Sequence, residues 1–341
     1  MRLFITGGAG FIGSNFIRHL MANHPDYHVT NFDKLTYAGN LDNLADVAGR
    51  ENYSFVRGDL CDREAVAEAI RGADAVINFA AESHVDRSIE RAVDFIETNV
   101  LGTQVLLDAA RQAGVSRFVQ VSTDEVMGSC EEGEYFTESS PLRPNSPYAA
   151  SKAAAEHLVR AAHRTFGLDV VTTRASNNYG PFQFPEKLIP LMIANAIEER
   201  ELPVYGDGLN VRDWLYVEDC CRAIDAVLHK GRTNQVYNIG SRAEKTNLEV
   251  VRFLLDLLGR PHSLIKFVAD RLGHDRRYAT DPTLIETELG WSPRESFESG
   301  MEKTVHWYSD NSEWVARARS GDYLHYYDRM YGERERIEDE R

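Results

Sequence analysis

Thr6-Gly7-Gly8-Ala9-Gly10-Phe11-Ile12-Gly13 joins a short apolar run, Leu3-Phe4-Ile5, to an amphipathic stretch over 12–23. Few loops restrict a fold so tightly. Read from Gly7 it is G-x-x-G-x-x-G, and read from Gly8 it is G-x-G-x-x-G. Glycines there permit a tight turn and let the backbone approach a pyrophosphate. The helix that follows offers free N–H groups and a partial positive charge to the phosphates. A glycine motif alone is a weak sign; a strand before it and a helix after it make it a dinucleotide loop. Asp33 closes the second apolar run, 26 residues after Gly7. A carboxylate there suits a ribose 2′-hydroxyl and repels a 2′-phosphate, which predicts NAD rather than NADP. Lys34, next along, is the one opposing charge. Asp59, after the third run, is placed to meet the adenine.

The rest of the first half repeats this alternation. Strands are predicted at 2–6, 28–33, 53–57, 74–79, 117–122 and 169–174, and amphipathic helices over 12–23, 62–71, 91–113 and 148–166. Short apolar runs alternating with helical periods mean βαβ units and a parallel sheet. The predicted class is α/β: a Rossmann-like, doubly wound parallel sheet with a smaller C-terminal substrate-binding lobe. Residues 1–175 are expected to form the dinucleotide domain, with a return segment near 212–240 that includes the strand-like Gln235–Ile239. Residues 176–330, richer in proline, glycine and aromatic residues, are expected to form mainly the lobe. Residues 331–341 are a charged tail that should fray.

Two devices for moving protons follow. Ser146-Pro147-Tyr148 reads as a helix start, with serine as cap and proline at the first helical position. Tyr148 and Lys152 then lie one turn apart on one face. A free tyrosine titrates near pH ~10; a nearby ammonium and an oxidised nicotinamide favour its phenolate. Such a phenolate takes a proton from an alcohol as hydride leaves the same carbon. Thr123-Asp124-Glu125 ends the apolar run Phe118–Val121 and supplies a carboxylate pair. Two neighbouring carboxylates work as acid and base only where their surroundings push their pKa values apart. An enzyme that only oxidises an alcohol has no need of that pair.

These residues resemble the extended short-chain dehydrogenase/reductase family. The match continues through Phe79-Ala80-Ala81-Glu82-Ser83-His84-Val85-Asp86-Arg87-Ser88, Ser122–Val126, Ser176-Asn177-Asn178-Tyr179-Gly180-Pro181, Phe184–Leu188, Arg212–Asp219 and His274–Tyr278. Within the family these runs are similar to the dTDP-glucose 4,6-dehydratases, and the likeness covers nearly the whole chain. It implies tightly bound NAD against Gly7, Gly10, Phe11, Ile12, Gly13, Asp33, Lys34, Leu35, Thr36, Asp59, Leu60, Phe79, Ala80, Ala81, Ser83, Thr98, Tyr148, Lys152 and Asn178. It implies a nucleotide-diphosphate sugar held by Ser83, Thr123, Asn177, Lys187, Leu188, Pro203, Tyr205, Arg212, Asn247, Asp270, Arg271 and His274. The implied chemistry is oxidation at C4 with Tyr148 as base and Thr123 beside the same oxygen. Glu125 then removes the C5 proton, Asp124 protonates the leaving 6-hydroxyl, and hydride returns to C6. The product is dTDP-4-keto-6-deoxyglucose. His84 is read as a packed histidine rather than a catalyst. The resemblance also implies a homodimer paired through 91–113 and 148–166, with Val100, Val105 and Leu106 on one helix and Ala154, Leu158 and Ala162 on the other.

This chain departs from the family at Met127, where tyrosine is usual, and at Leu272, where proline is usual; the segment before Arg117 is also short. Met127 follows the acid/base pair by two residues, so a shifted sugar preference or rate is expected from it. Other readings stay open at this point: a dehydratase for a UDP-, CDP- or GDP-sugar, a 4-epimerase, or a non-catalytic dinucleotide-binding protein.

Composition narrows the partners. The 341 residues carry a net charge of −15, which argues against nucleic acid and anionic membrane surfaces. No apolar run approaches a membrane span, and the chain opens on a strand with no leader pattern, so a cytoplasmic location is expected. Cys61, Cys130, Cys220 and Cys221 lack zinc spacing and read as reduced thiols; no metal is expected.

Overall fold

In a computed structural model, residues 1–320 together with Tyr327, Met330, Tyr331 and Arg336 are described. Seven parallel strands form the central sheet: β1 (Arg2–Thr6), β2 (His28–Asp33), β3 (Tyr53–Arg57), β4 (Ala75–Asn78), β5 (Arg117–Thr123), β6 (Val170–Ala175) and β10 (Val236–Ile239). Their order is β10-β6-β5-β4-β1-β2-β3, so the direction of winding reverses between β1 and β4. At such a switch point the loops leave in opposite directions and open a crevice.

Side-chain alternation explains why the strands are apolar on both faces. Leu3 and Ile5 of β1 face one layer with Ile77, Val119 and Val171, whereas Phe4 faces the other with Val76, Phe118 and Val170. The first layer is covered by α1 (Phe11–Asn23) and α8 (Val217–Lys230). The second is covered by α2 (Arg63–Ala69), α5 (Gly102–Gln112) and α6 (Pro147–Phe166). Helix α6 starts as its sequence dictates: the Ser146 hydroxyl accepts the N–H of Ala149 at 3.1 Å, and Gly167 closes the helix at φ 72°.

The stretch 91–113 is not one helix. It divides into α4 (Ala92–Phe95), π-type turns over Ile96–Leu101 and α5, after a separate short helix α3 (Val85–Glu90). The wider turns carry Asn99 inward, where its side chain donates to Glu82 O (3.0 Å) and Ser151 Oγ (2.8 Å) and accepts from Glu82 N (2.9 Å). Val105, Leu106 and Ala162 lie in the subunit's own core, so they are not a pairing face. The exposed apolar side chains are instead Val93 (66%), Ile96 (49%) and Leu101 (45%).

The remaining elements stand beyond the C-terminal ends of these strands. They are β7 (Asn177–Tyr179), α7 (Leu188–Ile197), β8 (Leu202–Tyr205), β9 (Val211–Tyr216), β11 (Glu244–Thr246), α9 (Asn247–Leu257), β12 (Ile265–Val268), α10 (Thr283–Leu289), α11 (Phe297–Asp310) and α12 (Ser312–Ala318). They make a three-stranded sheet, β11-β9-β7, and a pair, β12-β8. A separate apolar cluster, with Tyr179, Ile193, Val251, Met301 and Trp314, holds most of them together, whereas α10 packs through Ile285 and Leu289 into the first layer of the main sheet. The chain then returns through α8 to β10, which pairs in parallel with β6. The tail expected over 331–341 falls outside the described residues except for Tyr331 and Arg336, and Arg336 bridges to Val268. No disulfide links the four cysteines, and no helix among the described residues is long and apolar enough to cross a membrane.

Candidate active site

Two adjoining clefts open at the switch point, of about 230 and about 170 Å³. They share Gln183, Glu186 and Lys187.

The first cleft runs along the glycine loop. Gly7 holds φ +71°, and a Cβ there would lie 2.5 Å from Ala80 N; one at Gly13 would lie 2.4 Å from Gly7 O. The loop is therefore folded onto itself and onto the end of β4 with no room for a side chain. Asp33 accepts the N–H of Ala9 at 2.9 Å and that of Leu35 at 2.8 Å, bracing the loop from the end of β2. Burial raises its pKa while those two N–H groups oppose the rise. Lys34 Nζ lies 2.7 Å from Asp59 Oδ2, so the cation that might have met a 2′-phosphate is engaged. Ser122 Oγ lines the same cleft, buried without a hydrogen-bond partner among the described residues. Gly10, Phe11, Ile12, Thr36, Leu60, Phe79, Ala81, Ser83, Thr98, Tyr148 and Lys152 line it too. A braced carboxylate, a side-chain-free backbone turn and a helix N-terminus fit a dinucleotide without a 2′-phosphate.

The second cleft is lined by Asn177, Asn178, Lys187, Leu188, Pro203, Tyr205, Arg212, Asn247, Arg271 and His274, with Glu125 at its inner end. Asn177 Oδ1, Asn178 Oδ1 and Arg271 Nε are buried without partners among the described residues. Arg212 lies over the Tyr278 ring, 4.1 Å from its centre, and donates to Val211 O (2.7 Å) and Asp275 O (2.9 Å). Lys187 Nζ donates to Ser83 O at 2.7 Å. Three cations facing one cleft suit a diphosphate.

Several expected positions differ. Leu35 stands off the first cleft and serves through its N–H to Asp33. Asn178, expected at the cofactor, lines the second cleft, and Ser83, expected at both cofactor and sugar, lines only the first. Asp270 lines neither; its carboxylate holds His274 Nδ1 at 2.6 Å. Met127 also lines neither. It packs with Val126, Ala153, Phe136 and Leu142, and its sulfur accepts from Arg174 Nη1 at 3.5 Å. Leu272 points into solvent. Neither departure from the family touches a cleft. Sequence reasoning left out Glu82 in the first cleft, Asp86 in the second, and Glu186 in both. All three sit inside runs already singled out, and Asp86 lies 4.0 Å from Arg271. His84 is buried, and burial with the nearby cations Lys187, Arg87 and Arg271 pushes its pKa well below the usual value. It is a neutral, packed imidazole.

The proton-moving groups stand between the clefts. Tyr148 is buried on the first turn of α6, edge-on to Phe95. Burial, then the charge of Glu125, pushes its phenol up, and hydrogen bonding with Thr123 only partly offsets this. Lys152 Nζ donates to Val121 O at 2.7 Å rather than to the phenol. The tuned phenolate expected from the Tyr148/Lys152 spacing is thus not produced by protein groups alone. Thr123 caps the turn that follows β5: its hydroxyl accepts the N–H of Glu125 and donates to Asp124 Oδ1, both at 3.3 Å. Asp124 is buried and its Oδ2 has no partner among the described residues. Burial, then the charges of Glu125 and Asp213, pushes its pKa well above the usual carboxylate value, with Arg212 and the Thr123 hydrogen bond opposing, which favours its acid form. Burial raises Glu125 as well, but Arg271, Arg212 and Lys187 oppose the rise. Both carboxyls are raised by burial, but two carboxylates add to the rise at Asp124 while three cations oppose it at Glu125.

Comparison with known proteins agrees with this arrangement. The family described as GDP-mannose 4,6 dehydratase matches residues 4–304. A dTDP-glucose 4,6-dehydratase of Streptomyces niveus is 52% identical over 326 residues, covering 94% of this chain and 97% of that protein. The solved dTDP-glucose 4,6-dehydratase of Streptomyces venezuelae, with NAD and TYD bound, superposes with a TM-score of 0.91 at 54% identity, covering 93% of this chain and 100% of that one. The UDP-glucose 4-epimerase of Thermus thermophilus, in complex with NAD, gives 0.85 at 33% identity over 91% of this chain and 100% of its own.

Proposed function

We infer that this chain, which belongs to the dTDP-glucose 4,6-dehydratase family of extended short-chain dehydrogenases/reductases, is an NAD-dependent hydro-lyase that converts dTDP-glucose to dTDP-4-keto-6-deoxyglucose. The observation that carries this reading is the different balance at Asp124 and Glu125: both are raised by burial, the first further by two neighbouring carboxylates, the second opposed by three cations. A 4-epimerase would not need the pair, so the difference favours elimination over epimerisation.

Bound NAD supplies the acceptor that takes hydride from C4 and gives it back at C6, and its oxidised ring adds the positive charge that Tyr148 otherwise lacks. Gly7, Gly10, Gly13 and Asp33 hold its pyrophosphate and ribose. Tyr148 takes the proton of the sugar 4-hydroxyl, with Thr123 hydrogen-bonded beside it. Lys152, anchored on Val121, fixes the second turn of α6 and brings its charge near. The C4 ketone acidifies the C5 proton, which Glu125 removes. Asp124, in its acid form, gives its proton to the departing 6-hydroxyl and water leaves; as hydride returns to C6, the proton held by Glu125 returns to C5. Arg212, Arg271 and Lys187 hold the diphosphate, while Asn177, Asn247 and Tyr205 lie along the nucleotide.

We also propose that residues 1–175 with the return strand carry the cofactor and that most of 176–330 carries the sugar nucleotide. The protein works as a homodimer in the reducing cytoplasm. Exposed Val93, Ile96 and Leu101, on consecutive turns of one segment, support the pairing, and four unpaired thiols support the compartment.

The test is the absorbance of the 4-keto product across dTDP-, UDP-, CDP- and GDP-glucose. Product from dTDP-glucose above the others is expected. No 4-keto product with any of them would sink the reading, and product with another base alone would move the substrate.

A further inference from the structure

Three imidazoles converge on one carboxylate at the edge of the molecule remote from the clefts. His19 lies in the last turns of α1 and His24 just beyond its end; Asp225 and His229 are one turn apart near the end of α8. His24 Nε2 lies 3.1 Å from both carboxylate oxygens of Asp225. His229 Nδ1 lies 3.0 Å from Asp225 Oδ1 and 2.8 Å from the carbonyl oxygen of the same residue. The ligand atoms of His24, Asp225 and His229 all lie within 4.8 Å of one another. A tetrahedral zinc, with bonds near 2.1 Å, sets its ligand atoms about 3.3 Å apart, so small side-chain shifts close the triad around an ion. We propose that His24, Asp225 and His229 form a binding site for a zinc-class divalent cation, separate from the dinucleotide and sugar clefts.

The surroundings are those of a metal site rather than of a chance pair. His19 Nε2 bonds Asp225 Oδ2 at 3.0 Å and so holds the carboxylate with Oδ1 turned to the other two imidazoles. The Tyr27 hydroxyl meets His229 Nε2 at 2.8 Å, which orients that ring with Nδ1 toward the cluster. The rings of His24, Tyr27 and His229 cluster, with centres 4.6 Å (His24–Tyr27), 4.9 Å (His24–His229) and 5.8 Å (Tyr27–His229) apart. Such far-side partners, His19 for Asp225 and Tyr27 for His229, orient ligands at metal centres. The imidazole-and-carboxylate set suits zinc-class ions rather than calcium or magnesium. Side-chain exposures of 25%, 19% and 26% leave the fourth position to water. The ion would clamp the end of α1 to α8, roughly 20 Å along α1 from the glycine loop at about 1.5 Å per residue. Its role is structural.

The test uses the full-length, NAD-containing protein, freed of metal by a chelator and titrated with Zn²⁺ alone in a calorimeter. One equivalent is expected to bind and to raise the melting temperature. His24→Gln and Asp225→Asn should each weaken binding at least about tenfold and remove the rise. His262→Gln, at an exposed His–Asp pair of 2.8 Å, should change neither. Absence of saturable one-to-one binding overturns the proposal, as does wild-type binding in both variants. If Asp225→Asn fails to melt cooperatively, His229→Asn takes its place, and unchanged binding there counts against the site equally. None of these readouts depends on turnover.

Discussion

Lys152 Nζ donates to the carbonyl oxygen of Val121 at 2.7 Å, latching the second turn of α6 onto β5. Burial lowers its pKa to about 8, with the charge of Glu156 opposing the shift. The ammonium is therefore charged below that pH and loses its charge above it. Turnover is expected to fall as pH rises past about 8, because the cation that favours the Tyr148 phenolate is lost. Arginine stays protonated throughout that range, so Lys152→Arg should move the alkaline limb upward. A profile of kcat against pH for the two proteins checks this, and an unmoved limb would assign it to another group.

Asp124 and Glu125 should fail at different steps. Glu125→Gln is expected to keep its NAD but lose dehydration by about 10²-fold or more, together with exchange of the C5 proton into D₂O. Asp124→Asn leaves Glu125 in place, so C5 exchange should persist while the 4-keto-6-deoxy product disappears. Acid release of NAD, mass spectrometry of recovered substrate and the product absorbance separate the cases. Full turnover by Glu125→Gln would remove that residue from its role.

Met127 answers to packing, not to the sugar. It is buried among Val126, Ala153, Phe136 and Leu142, with Arg174 at its sulfur. Met127→Leu conserves volume and should cost under about 1.5 kcal/mol, whereas Met127→Tyr overpacks the site by about 1–3 kcal/mol. Preference among dTDP-, UDP- and GDP-glucose should not change in either. Denaturant midpoints and kcat/KM ratios measure both quantities, and a changed ratio would return Met127 to the substrate.

Arg174 and Glu156 form a buried pair at 2.8 Å, with side-chain exposures of 5% and 6%. Removing one partner strands the other charge in the core, so Glu156→Gln or Arg174→Met is expected to lose about 3–5 kcal/mol. Urea unfolding reads this directly.

Pairing through the exposed segment predicts that Val93→Asp with Ile96→Asp yields a monomer by light scattering. Both side chains are exposed in the subunit, so its fold should survive, as far-ultraviolet circular dichroism can show. A dimer that persists places the interface elsewhere.

What was legible in the chain was local. The glycine loop, the Ser146-Pro147 cap, the Tyr148/Lys152 spacing and the Thr123-Asp124-Glu125 triplet depend on residues within a few positions of one another. Strand periods and turn chemistry make such units readable. They were enough for a parallel sheet, a dinucleotide cleft and a dehydratase resemblance. Tertiary structure decided the rest, because it depends on which distant groups meet. Asp213 and Glu125 raise Asp124, while Arg271, Arg212 and Lys187 hold Glu125 back, and four of those five groups come from 62 to 146 residues away. Asn99 breaks an otherwise helical period because Glu82 and Ser151 wait inside for its amide. Met127 follows Glu125 by two residues, yet the turn after β5 sends one side chain to the cleft and the other to the core. The histidines at 19, 24 and 229 show no pattern along the chain; only the packing of α1 against α8 gathers them on Asp225.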